Sequence, residues 1–89
     1  MRLVNYSPIL KKDQARMVGR GKDVEKFLKA VFILATKGNL PVQYKAHKLR
    51  GEYAGYWECH LESDWLLVYT LTSETVFVAR TGTHSDLFE

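Results

Sequence analysis

Between Tyr56 and Arg80 the chain holds three runs rich in β-branched, aromatic and apolar residues, and only three residues separate each run from the next. The runs are Tyr56–Leu61, Trp65–Leu71 and Thr75–Arg80, and the spacers are Glu62-Ser63-Asp64 and Thr72-Ser73-Glu74. Spacers this short return the chain as antiparallel hairpins, because a parallel return needs a crossover of about a dozen residues or more. A three-stranded antiparallel meander is therefore predicted. Its middle run is apolar at successive positions, as expected of a central strand covered on both faces. In the first run the strand period turns Cys59 away from His60, so Cys59 is expected to pack. Gly82 is read as the break after the third strand.

Upstream the hydrophobic period changes. Leu3–Tyr6 reads as a short first strand. Ser7-Pro8 looks like a helix start, with Ser as N-cap and Pro at the first helical position. That helix would place Leu10, Gln14, Met17 and Val18 on or near one face and stop at Gly19 or Gly21. Asp23 caps a second helix in which Val24, Phe27, Leu28, Val31, Leu34 and Ala35 form a core-facing stripe. Gly38 and Pro41 end it. The stretch from Leu40 to Ala54 reads as polar loop. The sum is an α+β chain of β-α-α-β-β-β order, with two helices packed on a twisted, mainly antiparallel sheet. Its 89 residues suit a single domain spanning 1–89.

Charge divides the chain unevenly. Residues 1–50 carry twelve Lys and Arg against three acids, a balance of +9, whereas residues 51–89 carry one Arg against seven acids, a balance of −6. The basic half suits a polyanion or an acidic protein partner. The single cysteine excludes an internal disulfide, and neither a signal peptide nor a run of membrane-spanning length is present, so a cytoplasmic location is expected.

Three histidines occupy three separate segments: His47 in the loop before the meander, His60 near the end of a strand, and His84 after the last strand. Asp64 lies in the turn next to His60, and Arg80 ends the strand leading to His84. A meander gathers the ends of neighbouring strands, so these groups are expected to converge at one edge of the sheet. Such a set suits RNA cleavage through the ribose 2′-hydroxyl. One histidine takes the hydroxyl proton, another protonates the leaving 5′-oxygen, and an arginine offsets the charge on the phosphate. His47, His60, His84 and Asp64 are also possible zinc ligands, but there is no short-spaced His pair and no Cys pair, so no metal and no cofactor are expected. Trp57, Trp65, Tyr69 and Phe77 are core residues by default.

The segments His47-Lys-Leu-Arg-Gly51, Cys59-His60-Leu-Glu-Ser-Asp64-Trp65 and Arg80-Thr-Gly-Thr-His84-Ser-Asp-Leu-Phe88 together resemble the YafQ-like branch of the RelE/ParE toxin superfamily. These are ribonuclease toxins of bacterial type II toxin–antitoxin modules. The resemblance covers the C-terminal half by motif and the N-terminal half by element order. It implies a RelE/ParE-like fold, cleavage of messenger RNA on the ribosome and a cognate antitoxin. Position by position, His47, His60, Asp64, Arg80, His84 and Phe88 match the active-site motif, and Trp65 matches an aromatic position beside the Asp. The resemblance assigns His84 as general acid and His60 or His47, tuned by Asp64, as general base. Arg80 would hold the scissile phosphate. Phe88, with Trp65, would serve substrate binding by ordering the tail or stacking on a base. The alternative is a ParE-like toxin that inhibits DNA gyrase without catalysis, for which the histidine set has no use.

Overall fold

The computed structural model describes residues 1–88. Strand β1 (Leu3–Tyr6) leads into helix α1 (Leu10–Gly19) and helix α2 (Val24–Lys37). A two-residue strand β2 (His47–Lys48), the meander β3 (Trp57–Glu62), β4 (Trp65–Leu71) and β5 (Thr75–Gly82), and a short helix α3 (His84–Phe88) complete the chain. The sheet order is β1-β5-β4-β3-β2, with β1 parallel to β5 and every other pair antiparallel.

The second helix forms where its caps place it. Asp23 accepts from the Glu25 backbone N–H, and Gly38 closes the helix in the left-handed region that glycine enters without steric cost. Its buried face is Phe27, Ala30, Val31, Leu34 and Ala35, while Val24 and Leu28 of the expected stripe lie at its exposed rim. The first helix begins later than its Ser-Pro signal suggests. Ser7 still belongs to the sheet: its N–H donates to the Val78 carbonyl and its hydroxyl to the Ala79 carbonyl, so its side chain does not cap the helix and only its carbonyl accepts from the Leu10 N–H. The buried face of α1 is Leu10, Asp13 and Met17, and Val18 turns to solvent.

β4 is central, and Trp65 through Tyr69 are all buried, because both of its faces are covered. On one face Met17, Phe27 and Leu34 of the helices pack with Trp65, Leu67, Val76 and Val78. On the other, Leu66, Val68 and Ala79 pack with Leu87 of α3, flanked by Leu49, Tyr53 and Tyr56 from the segment before β3. Each such side chain contributes about 1.5–3 kcal/mol on burial, so the tail and the loop are held by the same force that builds the main core. The loop is less irregular than its composition suggests, since β2 pairs with β3 within it.

Strand β5 carries two local features that shape the site. Val78 opposes Tyr69 and Arg80 opposes Val68, so one extra residue bulges the strand at Ala79-Arg80. Gly82 does not break the strand; it is its last paired residue, opposite Leu66. Its missing side chain serves a close approach: a Cβ there would lie 2.9 Å from the Asp86 Cβ and 3.0 Å from an Asp86 carboxylate oxygen.

Candidate active site

His84 opens α3, and a capping box sets that helix. The Thr83 hydroxyl accepts from the Asp86 N–H, and the Asp86 carboxylate accepts from the Thr83 N–H. Asp86 also takes a two-pronged bond from Arg20 at 2.6 and 3.1 Å, which ties the end of α1 to the tail. Arg20 and the Thr83 N–H hold the Asp86 carboxyl well below the usual carboxylate range.

With its start fixed, α3 presents His84 to the β3–β4 turn. Asp64 accepts from the His84 backbone N–H at 2.9 Å and sits 2.7 Å from His84 Nδ1. These two bonds, the backbone one first, keep Asp64 ionised to lower pH than an ordinary carboxyl. An ionised carboxylate only accepts, so His84 Nδ1 carries hydrogen and Nε2 is the nitrogen left to exchange a proton. The His60 ring lies 6.0 Å from that of His84, and the Phe88 ring 6.4 Å from it on another side. Phe88 in turn meets Tyr53 edge to face at 5.4 Å, and Tyr53 meets Tyr56.

The second histidine group is built on β3. Glu58 is buried, and one carboxylate oxygen lies 3.2 Å from His47 Nε2 and 4.0 Å from His60 Nε2. The structure thus brings His47, His60, His84, Asp64 and Phe88 into one neighbourhood, but it divides them differently from expectation. The carboxylate of Asp64 serves His84, while the carboxylate facing His60 and His47 is Glu58.

Arg80 is anchored from outside this cluster. Its Nε and Nη2 donate to Asp13 at 2.7 and 3.1 Å. Asp13, 0% exposed, also accepts from the Thr81 N–H and from Arg16. The Thr81 N–H needs that acceptor because β1 pairs with β5 only as far as Val78 and leaves the strand edge open beyond it. Asp13, with a smaller contribution from Tyr53, keeps Arg80 more firmly charged than a free arginine. Of the five Arg80 guanidinium N–H groups, three, both on Nη1 and one on Nη2, are uncommitted to Asp13, and the planar fork suits phosphate oxygens.

Trp65 requires correction. It is 1% exposed, and its indole N–H donates to the Thr81 hydroxyl at 2.9 Å, which places it in the core between sheet and helices rather than against a substrate. Cys59 packs as expected, and burial pushes its thiol up to about 12, which removes it as a thiolate nucleophile. Among the described residues, no group of three or more His, Cys, Asp and Glu side chains is arranged to hold a metal ion. Glu58, Asp13, Tyr53 and Tyr56 were not singled out from sequence. For Glu58 the signal was present, since Glu58 and His60 are two residues apart on a strand and must share a face.

The fold, helices packed on a five-stranded mixed sheet in one small α+β domain, is that of the RelE/ParE-like bacterial toxins. The chain belongs to the YafQ family, bacterial toxins of type II toxin–antitoxin systems, whose model it matches over residues 2–89. It is 40% identical to the mRNA interferase toxin YafQ of Escherichia coli K12 over 87 residues, covering 96% of this chain and 94% of that one. The crystal structure of YafQ from E. coli BL21(DE3) superposes over 100% of both chains with a TM-score of 0.92 at 36% identity. The toxin in the E. coli DinJ–YafQ toxin–antitoxin complex superposes with a TM-score of 0.90 at 38% identity, covering 99% of this chain and 98% of that one.

Proposed function

We propose that this toxin is a metal-independent endoribonuclease that cuts messenger RNA in the cytoplasm, on the ribosome, and is neutralised by a cognate antitoxin. The observation that carries the reading is the pair of histidine–carboxylate groups facing one another across 6.0 Å, His84 with Asp64 and His60 with Glu58 and His47. Cleavage needs a proton taken at one place and given at another, and imidazoles set beside separate carboxylates meet that need. His60 or His47 takes the 2′-hydroxyl proton as the 2′-oxygen forms its bond to phosphorus. The bond from phosphorus to the 5′-oxygen breaks, and protonated His84 gives its Nε2 proton to that oxygen. Asp64 orients the His84 ring and stabilises its charged form before the transfer. Arg80, held by Asp13, offsets the charge on the phosphate. Phe88, 41% exposed and backed by Tyr53, offers a ring face to a base.

The basic half of the chain, with Lys11 and Lys12 on α1 and Lys29 on α2, suits ribosomal RNA through sequence-independent phosphate contacts. The E. coli relative's complex with DinJ supports a small antitoxin as the controlling partner. The deciding experiment incubates the purified toxin and programmed ribosomes with messenger RNA, with metal chelated to the extent that ribosome integrity allows. A 2′,3′-cyclic phosphate and a 5′-hydroxyl are the expected ends. Cutting of a message carrying deoxyribose at the scissile nucleotide would refute the mechanism. Intact message with arrested DNA supercoiling would favour the gyrase alternative.

A further inference from the structure

The position of Glu58 follows from the strands. Residues two apart on a strand share a face, so Glu58 and His60 stand side by side on β3, and the sheet register sets Glu58 directly opposite His47 on β2. A buried carboxylate is costly unless it is partnered. The Glu58 side chain is 7% exposed, and both rings present a nitrogen to it.

The opposite nitrogen of each ring faces a backbone carbonyl: His47 Nδ1 lies 3.0 Å from the Lys45 oxygen and His60 Nδ1 3.3 Å from the Ser63 oxygen. A carbonyl only accepts, so His60 Nδ1 carries hydrogen and its Nε2 is the atom that gains and loses a proton, whereas His47 meets an acceptor at each nitrogen, the Lys45 carbonyl and the Glu58 carboxylate, and satisfies both when it is protonated. The Nε2 atoms of both rings look onto a single carboxylate oxygen. A proton on His47 Nε2 is bonded to Glu58 in this geometry, whereas His60 Nε2, at 4.0 Å, stays open toward the site. The other charged groups around His60 are His84 with Asp64 on one side, and Lys26 and Lys29 of α2 across a hollow that His60 also lines.

We propose that Glu58 is a positioning residue shared by His47 and His60: it orients both rings and offsets the positive charge that whichever ring acts as base acquires from the 2′-hydroxyl. This rests on the ribonuclease reading above. The carboxylate then explains how two histidines occupy one role, since either ring meets the same counter-charge when it takes the proton.

The test compares wild-type toxin with Glu58→Gln, His47→Ala and the double variant in single-turnover cleavage between pH 5 and 9, with folding checked by circular dichroism and by antitoxin binding. Glu58→Gln keeps the shape and removes the charge. It is expected to lower kcat on the order of 10- to 100-fold, the worth of a charge-assisted hydrogen bond, with KM nearly unchanged. The acidic limb of the profile should move to lower pH, because a base without its counter-charge gives up its proton more readily. The loss should be non-additive with His47→Ala. A Glu58→Gln toxin within twofold of wild type, with an unmoved acidic limb, would overturn the proposal. Ring ¹⁵N shifts of the wild-type protein at high pH give a reading that needs no variant: His60 should be the Nδ1–H tautomer with Nε2 free to take a proton, and an Nε2–H tautomer there would overturn the proposal. An uncut message with the wild-type toxin refutes the ribonuclease reading alone, because the ring tautomers are measured without substrate.

Discussion

Asp13 is the residue whose loss this structure makes most costly. Its fully buried carboxylate takes four donors: Arg80 Nε at 2.7 Å, Arg80 Nη2 at 3.1 Å, the Thr81 N–H at 3.2 Å and Arg16 Nη1 at 3.3 Å. Asp13→Ala strands the Thr81 N–H, which has no access to water, at about 1–3 kcal/mol. It also removes the partner of Arg80. Breaking a buried ion pair costs about 3–5 kcal/mol at full burial, but the Arg80 side chain is 21% exposed and can turn toward water, so its share is smaller. A total of about 2–4 kcal/mol follows, which for a domain of this size lowers Tm by roughly 10–25 °C. Against a total stability of about 5–15 kcal/mol the variant still folds in the cold. Urea unfolding at low temperature, with the slope m compared to exclude a changed unfolded state, measures the loss directly. Cleavage assayed where the variant is folded should also fall, because Arg80 has lost the group that aims it. A midpoint within 1 kcal/mol of wild type would refute the reasoning about the open edge of β5, and undiminished cleavage by the folded variant would refute the tether on Arg80.

Asp64→Asn should leave the urea midpoint nearly unmoved, since the carboxylate is largely exposed, yet lower the cleavage rate by about 100-fold or more, because an amide can offer its own N–H to His84 Nδ1 and set the wrong tautomer; single-turnover cleavage checks it. Gly82→Ala should force Asp86 and α3 aside, costing about 1–3 kcal/mol as an overpacked contact does and reducing cleavage through His84, measurable by denaturation and activity together. Because the folded-state pKa of Asp86 is depressed, its stabilising contribution is fully present above the unfolded value of about 3.9 and is lost as pH falls from there toward the folded one. Asp86→Asn should therefore lower Tm at pH 6 to 7, and its gap from wild type should narrow below about pH 4, as read by thermal melts across that range.

The meander, the second helix and the α+β class were legible because each rests on local rules: spacer length for the hairpins, Asp23 and Gly38 for the helix ends, an apolar run for a strand covered on both faces. What escaped sequence reading rests on long-range partners. Ser7 carries a good N-cap side chain, but β1 is parallel to β5 and still consumes its hydrogen bonds. Nothing local to the first helix marks Asp13; only the point at which β1 stops pairing explains why a carboxylate is buried there. β2 escaped because a two-residue strand has no period of its own.

The convergence of five candidate residues was legible, whereas the burial of Trp65, the presence of Glu58 and the pairings were not. His47, His60, His84, Asp64 and Phe88 do converge, as an antiparallel meander with a short tail must make them. Sequence proximity assigned Asp64 to His60, four residues away, but the strand geometry forbids that partnership from being the close one. His60 Nδ1 turns to the Ser63 carbonyl and its Nε2 toward Glu58, while α3 lowers the His84 backbone N–H and ring together onto Asp64. The consequence is chemical as well as geometric. A single carboxylate shared among three histidines would couple their protons, and acid and base would compete for one counter-charge. In the proposed mechanism, two carboxylates on opposite sides of the His60–His84 gap would let one imidazole be kept as a donor while another is left to accept, the asymmetry that in-line displacement at phosphorus requires. Leu87, buried with Leu66 and Val68, anchors α3 on the sheet, so the packing of a five-residue helix would set the separation across which the proposed mechanism divides the proton roles.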